Sequence, residues 1–318
     1  MKTICRFERW RRVDILLVAA AFLLLAPVLS VQRTTDFMIF CIFVLAYDLL
    51  YGHMGRLSFG HMLYLGLGAY AAALCAEHLN DNPFFALFAG TLGGALAGVI
   101  LGPIVVRTTG ACFALINLAF NQVGYFLVVA AFAEWTSGEN GMSASFAPIG
   151  GFDLGNRYLM FGVTLISLLV VVLLMRRLTD SPFGLLLRTI KENERRSIFL
   201  GYNTYLYKWL AFTISTAVAG FAGALSSLNY AFVTPSFIDP ARSVEVIFAA
   251  LIGGAGSVYG ALVGGVAFMA ISNYLPNFVQ RWEMFLGVVL LLLVFKFREG
   301  IWGYLLRLQT ARLGEKSR

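Results

Sequence analysis

The stretch SPFGLLLRTIKENERRSIFLGYNTYLYK, residues 181–208, decides how this chain is laid out. It carries Arg188, Lys191, Glu192, Glu194, Arg195, Arg196 and Lys208, and apolar runs flank it at 158–175 and 209–229. Charges at this density do not lie in hydrocarbon, so the segment sits in water between two membrane spans. Its cationic excess assigns it to the cytoplasmic side. It is longer than a turn and reads as a part that touches another protein.

The composition agrees with this reading. Of 318 residues, 59% are hydrophobic and only 13% are charged, against about 25% charged in a soluble domain. The chain is therefore a polytopic membrane protein. A net charge of +7 would suggest nucleic acid in a soluble protein, but 18 of the 24 Lys and Arg residues fall in three segments, 2–12, 176–208 and 296–318. Such clustering marks one membrane face and contact with anionic lipid rather than nucleic acid. Of the four cysteines, Cys5, Cys41, Cys75 and Cys112, none has metal-ligand spacing, and the last three read as small buried hydrophobes. The start resembles a signal peptide, but 13–30 runs on into further spans and is expected to stay as the first helix.

A helix needs about 20 apolar residues to cross a bilayer. Runs at 13–30, 37–51, 60–78, 84–106, 111–133, 158–175, 208–229 and 282–297 qualify, and 243–275 is interrupted by Gly253, Gly254, Gly256 and Gly260. Six crossings return the chain to the cytoplasm at the 181–208 island. With the C-terminus basic as well, an even number must follow, so 243–275 is expected to supply two short or broken passes, or a re-entrant pair. The expected fold is all-α, a transmembrane helical bundle of about ten passes. Its expected parts are a cytoplasmic N-terminus (1–12), a transmembrane domain (13–297) with a cytoplasmic loop at 176–208 and an outer loop at 134–157, and a cytoplasmic tail (298–318). Arg188 and Lys316 should lie inside the cell and Asn140 outside. No loop is long enough for a soluble catalytic module.

Many of the 32 glycines lie inside spans, Gly90, Gly94 and Gly98 among them, where small residues let helices approach closely. In two tracts, 52–68 and 253–265, glycine meets Ser, His or Tyr. There a broken helix near a substrate path is expected.

Several segments together resemble one family. GRLSFGHMLYLGLGAYAAA (55–73), TSGENGM (136–142), the island from Ser181, AGFAGAL (219–225), GGAGSVYGALVGG (253–265) and FREGIWG (297–303) occur in the order found in the branched-chain amino acid permeases of ABC importers. The chain is most similar to the LivM-type member of the permease pair. Two departures add charge: Asp48 stands where the family has an uncharged Asn-type residue, and Arg56 where it has Gln.

The resemblance implies a transport subunit of the bacterial inner membrane with no catalytic site or cofactor of its own. Its implied partners are a second, LivH-type permease, two ATPase subunits that hold ATP and Mg, and a periplasmic substrate-binding protein. No phosphate-binding loop occurs in the chain. The island becomes the ATPase-coupling element, with Pro182, Phe183, Gly184, Arg188, Asn193, Glu194 and Gly201 on the motif positions. Pro182 suits a helix start and Gly201 a helix stop. Leu185, Leu186, Ile190 and Ile198 are expected to form the docking face, and Arg188, Lys191, Glu194 and Arg195 to pair across it.

Asp48, Ser58, His61, Asn117 and Asn121 are the candidates for a translocation path. Asp48 is costly inside a membrane unless paired. Arg56 and His53 are the expected partners; a pathway or proton-relay role is the alternative. His53 and His61, expected near the cytoplasmic ends of two spans, lack a third metal ligand and read as packing residues. Asn117 and Asn121 share a helix face, either bonding between helices or lining a polar route. Relatives of the family carry urea or short amides, which makes those the second substrate class. An ion-coupled secondary transporter is the second mechanism, with Asp48 its one mid-span charge.

Overall fold

Peptide groups in an apolar run have no water to bond, so such runs close their hydrogen bonds within helices. The computed structural model describes residues 2–148, 154–278, 284, 287–288 and 300–304, with 2–14 as backbone alone. Its helices are α1 (Lys2–Leu29), α2 (Val31–Asp48), α3 (His61–His78), α4 (Pro83–Val105), α5 (Ala111–Phe126), the single turn α6 (Ala133–Thr136), α7 (Arg157–Thr179), α8 (Pro182–Phe199), α9 (Thr204–Tyr230), α10 (Ser243–Gly253) and α11 (Val258–Tyr274). Helix α2 continues as a π-helical turn, Leu49–Met54, and α5 as another, Leu127–Ala131. Five segments are long and apolar enough to span a bilayer: Val31–Met54, Pro83–Val105, Ala111–Ala131, Arg157–Thr179 and Thr204–Tyr230. Shorter apolar helices cover Ile15–Leu29 and Val258–Tyr274. The chain is a multi-pass helical membrane protein. The run expected at 282–297 lies mostly outside the described residues, as does the tail.

Helix α2 is the axis, buried nearly all round, whereas α4, α5 and α7 turn apolar side chains such as Phe88, Leu96, Val123 and Ile166 outward. One face of α4 carries Gly90, Gly94, Gly98 and Gly102 at four-residue spacing, and all four are buried. A Cβ on Gly94 would stand 2.3 Å from the Thr216 carbonyl oxygen of α9. Backbone contact of this kind holds helices together where lipid gives no hydrophobic drive. Cys41 and Cys75 are buried as expected, but Cys112 is exposed on the outer face of α5.

Two places break the helical pattern, and they run in opposite senses. From the end of the bundle where the 181–208 island lies, residues 55–60 climb without helix to His61, the first residue of α3. The His61 ring packs on Phe43 and Tyr47 at 5.5 and 5.4 Å, in the last third of α2. From the far end, 231–242 descends to Ser243, the first residue of α10, whose hydroxyl meets Asn121 at 3.3 Å in the middle of α5. Ile238 of this segment is fully buried and fits against Gly66 and Gly124. With 11 residues, α10 is about 16 Å long, half a hydrocarbon core. Irregular backbone is tolerated at this depth only inside protein. Turns at Pro235–Phe237 and Pro240–Arg242 bond internally, and Asp239 accepts from the Ala241 N–H at 2.9 Å. At the far end, β1 (Met142–Ser143) pairs antiparallel with β2 (Phe232–Val233), tying the two outer segments together.

Candidate functional site: an amphipathic helix and a buried polar cluster

The island folds as α8. Ser181 caps it, Pro182 occupies its first turn, and Gly201 follows its end at φ 86°, the left-handed conformation glycine accepts without cost. Asn193 interrupts it with an extended backbone (φ −156°, ψ 95°), and its side-chain oxygen accepts from the Arg196 N–H at 3.0 Å. The element is thus two helices, the second capped by Asn193. Gly184 is required because a Cβ there would meet the Thr179 carbonyl oxygen at 2.3 Å. The Phe183 ring packs on Tyr207 at 5.8 Å.

Only part of the apolar face expected to dock is free. Leu186 and Ile190 point into the bundle and are buried, so they are unavailable to a partner. Leu185, Ile198, Phe199 and Leu200 are exposed, Phe199 to 90%. Periodicity marks an amphipathic helix but does not say that its apolar stripe is spent on its own protein. Arg195, Arg196 and Glu192 are exposed beside this second patch.

Glu194 is committed within the chain. It accepts from Arg56 at 2.8 Å and from the Lys208 ammonium, with Thr204 at 3.3 Å. Burial opposes ionisation of Glu194. The hydrogen bond and charge of Lys208, the charge of Arg56 and the Thr204 hydroxyl outweigh it, and hold its pKa below the ordinary carboxylate value. The pairing expected between Asp48 and Arg56 is therefore not made. The left-handed Gly55 (φ 73°) turns the chain after the π-helical turn and sends Arg56 toward α8 and α9.

Asp48 binds elsewhere. One of its oxygens accepts from the Gly256 N–H at 2.8 Å, and the other lies 3.5 Å from His53 Nδ1. Of the two expected partners, His53 is the one in place. Gly52 crosses Gly256 so closely that a Cβ would stand 2.3 Å from the Gly256 nitrogen. Lys191 donates to the Gly52 carbonyl at 2.7 Å, and Arg188 lies 3.4 Å from His53 Nε2. Asp48 thus fastens the turn between α10 and α11 to the end of α2, beneath α8. Sequence reading missed Lys191 and Lys208 as internal partners; their closeness to the spans was the available signal.

Ser58, His61, Asn117 and Asn121 gather inside the bundle and share no hydrogen-bond partner with Asp48, although Tyr47, which touches two of them, precedes Asp48 in the chain. His61 is the first residue of α3, as expected at a span end, and its ring packs against α2. Ser215 Oγ donates to the Ala46 carbonyl and lies 3.3 Å from His61 Nε2, which assigns the proton on that imidazole to Nε2. Tyr47 links the group: its hydroxyl accepts from the Ser58 N–H at 3.4 Å, and its ring meets His61. Asn117 accepts from the Tyr64 hydroxyl at 3.1 Å and donates to the Phe113 carbonyl, so it bonds between helices α3 and α5. Asn121 donates to Ser243 of α10. Ser58 Oγ, His61 Nδ1 and Asn121 Oδ1 are fully buried and make no hydrogen bond to any described residue. Buried polar atoms are nearly always paired, so these three keep bonding capacity for water or a solute, as do Tyr70, Thr164, Trp209, Thr213 and Ser227 elsewhere. Among the described residues, no group of three His, Cys, Asp or Glu side chains is placed to hold a metal ion.

Residues 30–295 match the family model described as branched-chain amino acid transport system / permease component. The chain belongs to this family. It is 29% identical to the high-affinity branched-chain amino acid transport system permease protein LivM of Salmonella typhimurium, over 88% of this chain and 71% of that protein. LivM of Escherichia coli is 28% identical over 89% of this chain and 72% of its own length. The permease protein LivH of Salmonella typhimurium is 24% identical over 80% and 89%. No solved structure matches the chain. The family is one of permease components, so the chain is a transport subunit and not an enzyme.

Proposed function

We propose that the chain is the LivM-type permease subunit of a binding-protein-dependent ABC importer for branched-chain or related amino acids, in the bacterial inner membrane. The observation that carries the coupling part is the second half of α8. Ile198, Phe199 and Leu200 stand exposed next to Arg195 and Arg196, while the base of the element is fixed by Glu194, Arg56 and Lys208. An apolar patch with a charged rim on a rigid base suits insertion into a groove of another protein. The partner is an ATPase subunit carrying ATP and Mg, one of two. A LivH-type permease and a periplasmic binding protein complete the assembly.

In this reading the island end faces the cytoplasm and the chain makes about ten passes, with α10 and its descending segment as one of them and both termini inside. The element from Pro182 to Gly201 couples, with Gly184 and Asn193 setting its shape and Arg188 tying it to the His53 turn. Ser58, His61, Asn117 and Asn121 lie along the route. They are neutral acceptors and donors that a zwitterion exchanges for water without meeting a full opposite charge. Asp48 serves the crossing of Gly52 and Gly256. An ion-coupled transporter would want a charge at mid-bundle, and Asp48 is instead engaged at the island end by Gly256 and His53.

The test is topology together with assembly. With Cys5, Cys41, Cys75 and Cys112 replaced, single cysteines at positions 188 and 316 should resist an impermeant thiol reagent added outside intact spheroplasts, and one at position 140 should react. Co-expressed ATPase should co-purify with the permease, and leucine uptake should require it. Labelling of position 188 from outside, or uptake without any ATPase, would sink the reading.

A further inference from the structure

A cavity of about 440 Å³ opens at the far end of the bundle, between the starts of α2 and α10 and the end of α9. Pockets that hold one small ligand run from about 300 to 1,000 Å³. None of the polar residues discussed above lines it. Its rim carries charges of both signs, Asp36, Arg242 and Glu245. Its floor is apolar, made by Ile39, Phe40 and Phe43 of α2 with Met62 and Leu65 of α3.

We infer that this cavity is a holding site for one zwitterionic amino acid with an apolar side chain. Asp36 has acceptor capacity left: the Asn229 amide donates to one of its oxygens at 2.7 Å and the Tyr230 hydroxyl bonds to it as well. A carboxylate offers about four lone-pair sites, so the group keeps room for an ammonium. Among the described residues the Arg242 guanidinium pairs with Glu245, 3.2 Å from Nε, and its side chain is 45% exposed, which leaves the outer nitrogens for a carboxylate. A fatty acid or an amine would satisfy one sign and strand the other. Urea would leave the five apolar side chains unused. The combination fits a substrate with both charges at one end and hydrocarbon at the other. Phe43 forms part of the floor and stacks on His61 at 5.5 Å, so one ring separates the cavity from the mid-bundle cluster.

The inference rests on the importer reading but fails separately from it. The purified full-length chain in lipid nanodiscs is melted with L-leucine, with 4-methylpentanoate (no ammonium), with 3-methylbutylamine (no carboxylate) and with urea. Leucine should raise Tm by about 2–4 °C once it exceeds its dissociation constant roughly tenfold; the other three should not. Asp36→Asn, Arg242→Gln and Ser226→Leu should each lose the leucine shift. The last fills the cavity from α9, where Ser226 is 5% exposed and lines it. Arg107→Gln, exposed over Tyr205 at the other end, should keep the shift. If Asp36→Asn does not accumulate, Arg242→Gln at its half-exposed rim position decides. No leucine shift, an equal shift with urea, or a shift that survives all three variants overturns the proposal. In the first of these cases, leucine uptake by the assembled importer would still uphold the importer reading. A leucine shift lost in the variants, with no uptake by any assembly, would do the reverse.

Discussion

At the island end Glu194 gathers Arg56, Lys208 and Thr204, and Asp48 takes Gly256 and His53, whereas at mid-bundle Ser58, His61 and Asn121 each keep a buried atom without a partner. The first region carries full charges and satisfies them. The second carries none and leaves its dipoles open. In the proposed importer the island end transmits force from the ATPase and needs fixed register, which charge pairs with several hydrogen bonds supply. A region that solutes traverse needs sites weak enough to leave. A full charge at mid-bundle would hold a zwitterion too tightly, and a fully bonded network would offer it nothing.

Reversing Glu194 should break this contrast most severely. Glu194→Lys sets three cations side by side at the junction of α8 and α9. The loss expected is about 1–3 kcal/mol, below that of a fully buried pair because exposure screens part of it. It is read as lowered Tm and lower yield of the detergent-solubilised chain. Acid should have a related effect, with its sign set by the depressed pKa of this carboxylate. The stabilisation is complete above the ordinary value of 4.5 and is lost as pH falls through the lower folded value. Wild type should therefore exceed Glu194→Gln in Tm at neutral pH, and the difference should shrink as pH falls below 4.5 and through the lower folded value. Parallel curves through that window would show that the carboxylate does not hold the junction.

The pair at Asp48 sharpens the comparison through a cycle. Asp48→Ala leaves the Gly256 N–H without an acceptor, at a cost of roughly 1–3 kcal/mol. Asp48→Asn keeps an acceptor and should cost less. Asp48→Asn and Arg56→Gln should add within about 0.5 kcal/mol, because the two residues share no partner, whereas Arg56 and Glu194 should couple by roughly 0.5–3 kcal/mol. Strong coupling between Asp48 and Arg56 would restore the pairing that their nearness in sequence suggests.

That pairing shows where sequence reading stops. Spans, caps and the break at 253–257 follow from apolar runs, Ser181, Pro182, Gly201 and the glycine tract, because each depends on local chemistry. The break between α10 and α11 and the half-length of α10 were readable for that reason. Which charge meets which depends on the turn at Gly55, and eight residues of separation between Asp48 and Arg56 say nothing about its direction. In the same way α8 has an apolar stripe in its sequence, but only the packed bundle shows that Leu186 and Ile190 are used internally while Phe199 is free. The mid-bundle cluster was legible as a set of polar residues inside spans. Its assembly was not, since Tyr47, Ser215 and Ser243, which connect it, come from three other elements. The far-end cavity escaped for the same reason: Asp36 and Arg242 are far apart along the chain.

The smallest effect on the fold, and the most specific on function, is expected at Phe199. Its side chain is 90% exposed and packs on little of its own chain, so Phe199→Ser should change Tm by no more than an ordinary surface substitution, within about 0.5 kcal/mol. As an aromatic anchor for a partner it should carry more than its share of the contact. Loss of such an anchor costs at least about 1.4 kcal/mol, a tenfold weaker Kd for the ATPase. Uptake and substrate-stimulated ATP hydrolysis should fall together while the chain inserts and melts normally. Arg195→Glu, one turn back on the same exposed patch, should act in the same direction by reversing a rim charge, with its effect shrinking as salt is raised. Glu194, its neighbour in sequence, should instead lose stability first and ATPase contact as a consequence. If Phe199→Ser binds ATPase with unchanged affinity and stimulation, the docking face lies elsewhere on the island end. If it melts as early as Glu194→Lys, the division of that end into a fixed base and a free patch is wrong.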